Sequence, residues 1–405
     1  MKILLTILIS LTYTLHAQTE KKVCFIGNSY TSWNNMSGIV LQLAAADGNT
    51  LIKDVHTPGG YTLYSHSTNE ISLSKIKSND WDYVILQDQS WLPSSEWTNV
   101  VENVLPYAAR LTDSIRLANE CAIPIFFNTW GYLDGAAWDS INTFSKMNAR
   151  LHYAYNYMAD INSGKLSPVG IGFEHILNDV DAPITHASLY TGDGSHPSIR
   201  GSYLAACMFY EIIFETSSVG NNFVADGLSD TEAEYIQTVA NHVLNDVDTI
   251  SLDYTQPIPD YEVTYDGLTA NFTNLSKHAF EYLWDFGDGE TSTELDPSHT
   301  YPDDAEYIVT LTATYCDKEG ISIGGIDHTN LTENNGVKFK IYPNPSSGQQ
   351  VTIECSDQSQ KDIKISNLMG QIVLDSVITE KSVIELPTGF YLVIIDGSVQ
   401  RLVVQ

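Results

Sequence analysis

The chain has 405 residues, of which 43% are hydrophobic and 17% are charged, so it holds apolar material for about two or three domains. Its 50 acidic side chains outnumber the 20 basic ones and leave a formal net charge of -30. That balance argues against nucleic acid and anionic membrane surfaces as partners, because phosphate binding needs clustered Lys and Arg. The 23 Tyr, 13 Phe and 7 Trp residues exclude a disordered chain.

The first segment has the pattern of a secretory signal peptide. Lys2 is followed by a short apolar run that contains Thr and Ser and ends at a small residue, Ala17. We therefore expect residues 1–17 to be removed on export. No later segment has the roughly 20 apolar residues of a membrane helix, so no membrane insertion is predicted.

Residues 18–250 alternate short apolar runs with longer helical ones, which is typical of a parallel sheet with crossover helices. Strands are predicted at 23–26, 83–86, 123–127 and 169–173. Helices are predicted at 37–46, 100–118, 141–161 and 198–214, with a last one that begins at the capping box of residues 229–232. We predict an α/β domain with a flavodoxin-like, doubly wound parallel sheet and helices on both faces.

Five cysteines are spread along the chain. Their odd number and irregular spacing predict neither a disulfide framework nor a metal site. Cys24 and Cys207 lie in apolar runs, so we expect them to be buried as small hydrophobic residues.

A serine follows the first predicted strand. Ser29 lies in the segment of residues 27–31, at the carboxyl end of a parallel strand, where open α/β sheets bind ligands. A hydroxyl there can act as a nucleophile if a base removes its proton. The alternative is a helix-capping turn without chemistry, because Asn-Ser-x-Thr is common at helix starts.

The candidate base is a histidine in a loop of turn-forming residues late in the domain. Asp193 precedes His196 by three residues, a spacing that lets the carboxylate hold one ring nitrogen while the other accepts a serine proton. Two rival pairs are Glu174 with His175, and Asp181 with His186. The turn-forming residues around His196 favour it over both.

Four blocks of residues in this domain resemble those of the SGNH (GDSL-like) hydrolases. They are residues 27–29, Gly59 and Gly60, the polar turn after Leu86, and Asp193 with His196. More narrowly, residues 25–31 and 85–90 resemble the DUF4886 type of secreted bacterial proteins. The resemblance covers roughly 230 residues, a reasonable size for one α/β domain.

The resemblance implies roles for individual residues. Ser29 would be the nucleophile, His196 the base and Asp193 its orienting partner, while the N–H groups of Ser29 and of Gly60, or less favourably Gly59, would stabilise the oxyanion. Gln89 falls where the family has the Asn of Gly-x-Asn, so it would be the side-chain donor on a longer arm. Gln87 is the alternative donor.

The first block also departs from the family, since Asn28 replaces the usual Asp, whose side chain chiefly shapes the turn. We assign Asn28 to the substrate site together with Trp91 and Trp130. Aromatic rings near a hydrolytic site suit the apolar faces of sugars. Packing of the loops is the alternative for these rings, and for Trp97, Tyr132 and Trp138.

Residues 259–317, after a linker at 251–258, resemble a PKD domain, which is a β-sandwich of the Ig type. The resemblance rests on residues 284–289, 297–301 and 307–312. Asp285, Asp288 and Glu290 lack the spacing of a calcium loop, so we interpret them as turn formers, and His299 as part of the fold motif.

Residues 338–405, after a second linker at 318–337, resemble the type A sorting domain of the type IX secretion system, through segments 342–348, 367–371, 386–393 and 401–404. This resemblance implies passage through the outer membrane, then release or surface attachment. The machinery of that system is therefore an expected partner.

Together these features predict a secreted serine esterase without metal or cofactor, most plausibly one that removes O-acetyl groups from polysaccharide through a Ser29 acyl-enzyme. An acylated carbohydrate is the expected substrate. The alternative is a non-catalytic protein that binds carbohydrate or the cell surface on a retained SGNH fold. A lipid esterase is a third option, disfavoured because no long apolar lid is evident.

Overall fold

The structure is a computed structural model of the chain. It describes residues 18–137, 139–245, 252–305, 307–326, 339–342, 350–355, 360–367, 372–379, 381–387, 389–395 and 398–404. The predicted signal peptide and Trp138 lie outside the described residues.

The first domain is built on a five-stranded parallel sheet. Its strands are β1 (Glu20–Ile26), β2 (Thr50–His56), β3 (Tyr83–Leu86), β4 (Ile123–Phe127) and β5 (Lys165–Ser167). They are ordered β2-β1-β3-β4-β5, the flavodoxin-like order. This confirms the predicted fold class.

Helices cover both faces of the sheet. They are α1 (Ser29–Ser32), α2 (Met36–Ala46), α3 (Leu63–Ser67), α4 (Glu70–Ile76), α5 (Trp97–Asn103), α6 (Leu105–Ala118), α7 (Phe144–Ile161), α8 (Val169–Asn178), α9 (Ile199–Phe214) and α10 (Asp230–Asn245). Alternate residues of β1 point to opposite faces, so Val23 and Phe25 join the core under α2 and α9, while Cys24 and Ile26 join the core under α6 and α7. Because both faces are covered, the strand is apolar throughout.

Some predicted elements differ from the structure. Residues 169–173 begin helix α8, and the fifth strand is the three-residue segment before Pro168. A short apolar run predicts a strand here, but its two glycines allow close helix packing: a Cβ on Gly170 would lie 2.6 Å from the Thr129 carbonyl oxygen, and one on Gly172 would lie 2.6 Å from Met208. Strand β2, which is partly exposed at the sheet edge, was not predicted.

The cysteine prediction is wrong in one respect. Cys121 and Cys316 form a disulfide across a sequence separation of 195, which joins the first domain to the second module. Cys24 and Cys207 are free and buried, as predicted. Spacing alone could not pair two cysteines from different domains.

The second module is a β-sandwich. One sheet pairs β6 (Tyr261–Asp266), β7 (Thr269–Asn274) and β10 (Ser298–Thr300), and the other pairs β8 (Glu281–Asp285), β9 (Thr291–Ser292), β11 (Tyr307–Tyr315) and β12 (Lys318–Ile326). Trp284 is fully buried between them. Residues 318–326, predicted as linker, are a strand because they pair with β11 along their whole length.

The third module also has two antiparallel sheets. One contains β13 (Phe339–Tyr342), β14 (Gln350–Cys355) and β17 (Lys381–Glu385); the other contains β15 (Lys361–Asn367), β16 (Ile372–Ile378), β18 (Gly389–Ile395) and β19 (Ser398–Val404). Its core includes Val351, Ile363 and Val393. The two small all-β modules therefore follow the α/β domain as predicted.

Candidate active site

The candidate site lies where the order of the sheet reverses. The strands that precede the site, β1 and β3, are neighbours, and the connections that leave them run to opposite sides of the sheet. Ser29 is the third residue after β1, and Gln89 is the third residue after β3. The fold thus brings both residues to the carboxyl edge of the sheet.

The Ser29 loop is shaped by buried hydrogen bonds. Gln87 Oε1 accepts from the Asn28 N–H at 2.8 Å and from Thr31 Oγ1 at 2.9 Å. A Cβ on Gly27 would lie 2.6 Å from the same Gln87 oxygen, so only glycine fits there. Both functional ends of the Gln87 amide are occupied, since its Nε2 donates to the Asp88 carbonyl oxygen. Gln87 therefore organises the loop and is not placed as an oxyanion donor.

Asn28 caps the helix that carries Ser29. It is 2% exposed, its Oδ1 accepts from the Tyr30 N–H at 3.1 Å, and its Nδ2 donates to the Tyr61 carbonyl oxygen at 2.9 Å. Contrary to the prediction, this side chain cannot contact a substrate, because burial and its own hydrogen bonds occupy it.

A buried histidine supports the same loop from behind. His66 Nε2–H donates to the Gly27 carbonyl oxygen at 2.9 Å, so Nδ1 must accept from Ser72 Oγ, 2.8 Å away. Ser72 Oγ then accepts from His56 Nδ1, also at 2.8 Å. Burial lowers the pKa of His66 to about 4, which keeps the ring neutral. Each hydrogen bond from His56 through Ser72 and His66 therefore donates toward the Gly27 carbonyl oxygen.

The His196 loop is closed on itself by Asp193. Asp193 Oδ1 accepts from the N–H groups of Ser195 and His196, both at 2.9 Å, and Gly194 has a φ of +66°, a conformation that favours glycine. The Thr191 N–H donates to the His196 carbonyl oxygen at 2.8 Å. These bonds fix the ring of His196 before α9 begins.

The two loops bring Ser29, His196 and Asp193 into hydrogen-bond contact. His196 Nδ1–H donates to Asp193 Oδ2 at 2.6 Å, and Nε2 therefore accepts from Ser29 Oγ at 2.9 Å. Partial burial by itself raises the pKa of Asp193, but hydrogen bonds from His196 and Ser195 outweigh it and hold the pKa below its usual range. The carboxylate thus stays ionised beside the imidazole.

The candidate oxyanion donors belong to three segments near the carboxyl edge of the sheet. In the described part of the chain, the Ser29 N–H at the first position of α1 has no hydrogen-bond acceptor. Gly60 has a φ of +72° in the exposed turn that ends at Tyr61, and the Asn28–Tyr61 hydrogen bond holds this turn against the Ser29 loop. Gln89 is half-buried, and its Oε1 accepts from the Trp91 N–H at 3.1 Å.

The exposed tryptophan beside His196 is Trp33, and not Trp130. Trp130 is fully buried between Tyr30 and Phe173, with ring centroids 5.0 and 4.4 Å away, so it cannot bind substrate as predicted. Trp33, which the prediction missed, is 39% exposed and stacks on the His196 ring at 4.3 Å. Its position four residues after the candidate nucleophile was the available signal. Trp91 is 40% exposed.

The rival histidines serve packing. His186 is buried against the edge of Phe144, and His175 lies against the ring of His242 at 4.9 Å. Neither pair matches the Asp193–His196 contact, since Asp181 makes no hydrogen bond to His186 among the described residues. The described residues include no group of three His, Cys, Asp or Glu side chains that could hold a metal ion.

A buried carboxyl group lies behind Gln89. Asp88 is fully buried, its Oδ1 accepts from the N–H groups of Leu63 and Gln89, and its Oδ2 has no partner in the described residues. Burial raises the pKa of Asp88 to about 7. Because this pKa exceeds the unfolded value, the contribution of the group to stability is complete below about pH 4 and is lost as pH rises through about 7.

We therefore expect Asp88→Asn to weaken the pH dependence of stability. Between pH 4 and pH 8, the wild-type protein should lose up to about 4 kcal/mol of unfolding free energy through this group. Asn does not titrate, so this part of the loss should be absent in Asp88→Asn. Urea unfolding at both pH values measures it. Asp113→Asn, an exposed change on α6, is the control and should follow wild type. Parallel pH profiles for wild type and Asp88→Asn would contradict the prediction.

The fold and site thus define an open parallel α/β domain that holds hydrogen-bonded Ser, His and Asp side chains at the carboxyl edge of its sheet. Two family models match the rest of the chain: the PKD domain matches residues 257–328, and the secretion system C-terminal sorting domain matches residues 340–405. These matches confirm both predicted modules. Among the helices that the structure describes, none is both long and apolar enough to cross a membrane.

Several known proteins are similar to parts of this chain. A DUF4886 family protein from Bacteroides uniformis is 19% identical, covers 57% of this chain and 98% of its own, and gives a TM-score of 0.46. An acetylxylan esterase from Geobacillus stearothermophilus is 17% identical, covers 48% of this chain and 95% of its own, and gives a TM-score of 0.37. The pre-pro-metalloprotease PrtV of Vibrio cholerae is 36% identical over 69 residues, 16% of this chain and 8% of that protein's length.

Proposed function

We propose that the protein is a secreted serine esterase that removes O-acetyl groups from polysaccharide. One observation carries the proposal: Ser29 Oγ lies 2.9 Å from His196 Nε2, and His196 Nδ1 lies 2.6 Å from the Asp193 carboxylate. A hydroxyl, an imidazole and an ionised carboxylate in this order are the components of nucleophilic acyl transfer.

In the proposed mechanism, His196 Nε2 takes the Ser29 proton as Oγ attacks the ester carbonyl carbon. Asp193 holds the ring orientation and stabilises the imidazolium that forms. The ring then gives its proton to the departing sugar oxygen, which leaves an acyl-Ser29 enzyme. Water, activated by the same nitrogen, attacks the acyl group and releases the acid with Ser29 restored.

The developing oxyanion is assigned to three donors. The Ser29 N–H lies at the start of α1 without an acceptor in the described chain, where the helix dipole adds to the stabilisation. The Gly60 N–H belongs to the turn held by Asn28. Gln89 would direct its amide Nε2–H to the substrate oxygen, which its longer arm permits, while its Oε1 accepts from the Trp91 N–H.

Exposed aromatic rings near the site support a carbohydrate as the alcohol part of the ester. Trp33 presents an exposed ring directly over His196, and Trp91 presents another beyond Gln89. Such rings pack on the apolar faces of pyranoses. The acetyl group itself is taken from the sequence resemblance.

Covalent labelling tests the acyl-enzyme. We expect a fluorophosphonate probe to add one phosphonyl group to the purified protein, on Ser29, because the Asp193–His196 pair activates its hydroxyl. Peptide mass spectrometry locates the adduct, and p-nitrophenyl acetate competes with it. The chain has other serines as internal controls. A label on a different serine, or no label together with no acetate release from acetylated xylan, would favour the non-catalytic carbohydrate-binding alternative.

We further propose that the sorting domain directs the chain through the type IX system to the cell surface or the medium. The match to the secretion system C-terminal sorting domain over residues 340–405 supports this route.

Removal of residues 339–405 should leave the protein in the periplasm, because the deletion removes the export address while the α/β domain keeps its own core. Cell fractionation with immunoblotting checks the result. The matched control is removal of the PKD residues 259–326 with the sorting domain kept, which should still leave the cell. Surface delivery of the chain that lacks residues 339–405 would contradict the route.

A further inference from the structure

A pocket of about 340 Å³ is lined in part by Trp91, which belongs to the turn of Gln89, and takes no part in the catalytic steps above. Trp91 forms one wall, buried Ile141 lies in it, and Glu96, Asn99 and Arg150 supply polar groups. Its volume is at the lower end of the range of small-ligand sites.

The pocket adjoins the reaction centre through the backbone. The Trp91 N–H donates to Gln89 Oε1 at 3.1 Å, so the aromatic wall and the proposed oxyanion donor belong to one turn. A polymer unit that rests on Trp91 would thus place the ester of a neighbouring unit toward Gln89 and Ser29.

The polar groups of the pocket form a donor–acceptor pair. Arg150 Nη1 donates to Glu96 Oε1 at 3.1 Å, and the two side chains remain 31% and 70% exposed. Arg150 supplies only donors and Glu96 only acceptors. Two adjacent hydroxyls of a sugar can satisfy both residues, since each hydroxyl both donates and accepts.

The charge of the pocket selects against acidic sugars. Glu96 neutralises Arg150 within the pocket, and the chain as a whole carries a formal charge of -30. A uronate carboxylate would meet the Glu96 carboxylate and gain no unpaired cation.

We propose that this pocket is a subsite for a neutral pyranose unit of the polysaccharide, which stacks on Trp91 and hydrogen-bonds through adjacent hydroxyls to Arg150 and Glu96. The inference rests on the proposed function for the choice of a polysaccharide as ligand. The binding of a neutral sugar is argued from the pocket residues themselves. The inference deepens that function by naming the uncharged sugar as the class of substrate.

Binding is tested on the full chain with Ser29→Ala, which cannot turn substrate over. The probes are xylotetraose, mannotetraose and cellotetraose, with tetragalacturonate as the anionic counterpart, titrated by calorimetry. We expect at least one neutral tetrasaccharide to bind and tetragalacturonate to bind at least about tenfold more weakly. Trp91→Ala should weaken the neutral complex about tenfold or more, because the buried ring contact is lost.

The charge pair is tested by two matched variants that each remove one carboxylate from the same region. Glu96→Gln leaves Arg150 unpaired, so the preference for neutral over anionic sugar should shrink. Glu102→Gln, an exposed change on α5 outside the pocket, should keep the preference. Circular dichroism confirms that both variants fold.

Three results would overturn the subsite: no neutral tetrasaccharide binds at millimolar concentration, Trp91→Ala binds as tightly as its parent, or tetragalacturonate binds best. Hydrolysis of p-nitrophenyl acetate by the wild-type chain separates the two proposals. Esterase activity without sugar binding removes the subsite and leaves the esterase. Sugar binding without esterase activity removes the esterase and leaves the subsite.

Discussion

Alanine in place of Ser29 will lower kcat for p-nitrophenyl acetate by about 10⁴ to 10⁶, the range found when the nucleophile of a triad is removed. The His196 Nε2 would have no hydroxyl to activate, since its 2.9 Å contact is to Ser29 Oγ. The oxyanion donors remain in this variant, so a low residual rate above that of water is expected. Steady-state kinetics at neutral pH measures the loss.

The double variant Ser29→Ala with His196→Ala should be no slower than the single one, because groups that act as a unit are not additive. Ser32→Ala is the matched control: this serine lies on the same short helix, is exposed, and its hydroxyl donates to the Ser29 carbonyl oxygen at 3.5 Å. It should turn over close to wild type. A Ser29→Ala enzyme within tenfold of wild type would show that another residue is the nucleophile.

Loss of the disulfide should produce the second large effect, on stability. Cys121→Ser with Cys316→Ser opens a closed loop of 195 residues in sequence separation, which costs about 5 kcal/mol of unfolding free energy by the chain-entropy relation. Other contacts across the same interface remain, including Arg116 over the Phe280 ring at 4.6 Å and His278 with Asp160 at 3.2 Å. Denaturant unfolding followed by tryptophan fluorescence measures the change.

A reductant provides the control for this variant. Dithiothreitol should lower the unfolding midpoint of wild type toward that of the double variant and should leave the double variant unchanged, since its remaining cysteines Cys24, Cys207 and Cys355 are free. Activity on p-nitrophenyl acetate should persist, because the disulfide is not part of the site. Equal midpoints for wild type and variant would contradict the prediction.

The sequence was informative where chemistry is local. Strands β3 and β4 were predicted with their observed bounds because parallel strands buried on both faces are continuous apolar runs. Asp193 and His196 could be paired because a three-residue turn determines their contact. Ser29 could be proposed as a partner from its position after β1, although the two loops are 167 residues apart.

The features of the fold and site that could not be predicted depend on tertiary contacts. The burial of Trp130 in an aromatic stack has no signal in the sequence, whereas the only signal for Trp33, exposed over the imidazole, is its position four residues after Ser29. The three-residue strand β5 is too short and too polar to show a period, and its neighbour Val169 belongs to a helix. The sequence allows Gln87 as an alternative oxyanion donor, but in the structure its side-chain amide binds the Ser29 loop.

The attachment of the PKD domain determines where a large substrate can approach. Cys121 immediately precedes β4, and Leu252–Tyr254 pairs with residues 164–166 at the start of β5, so the PKD domain adjoins the amino-terminal edge of the sheet. Ser29 and Gln89 lie at the opposite, carboxyl-terminal edge. The PKD domain therefore does not stand between Ser29 and a large substrate that approaches the carboxyl-terminal edge of the sheet.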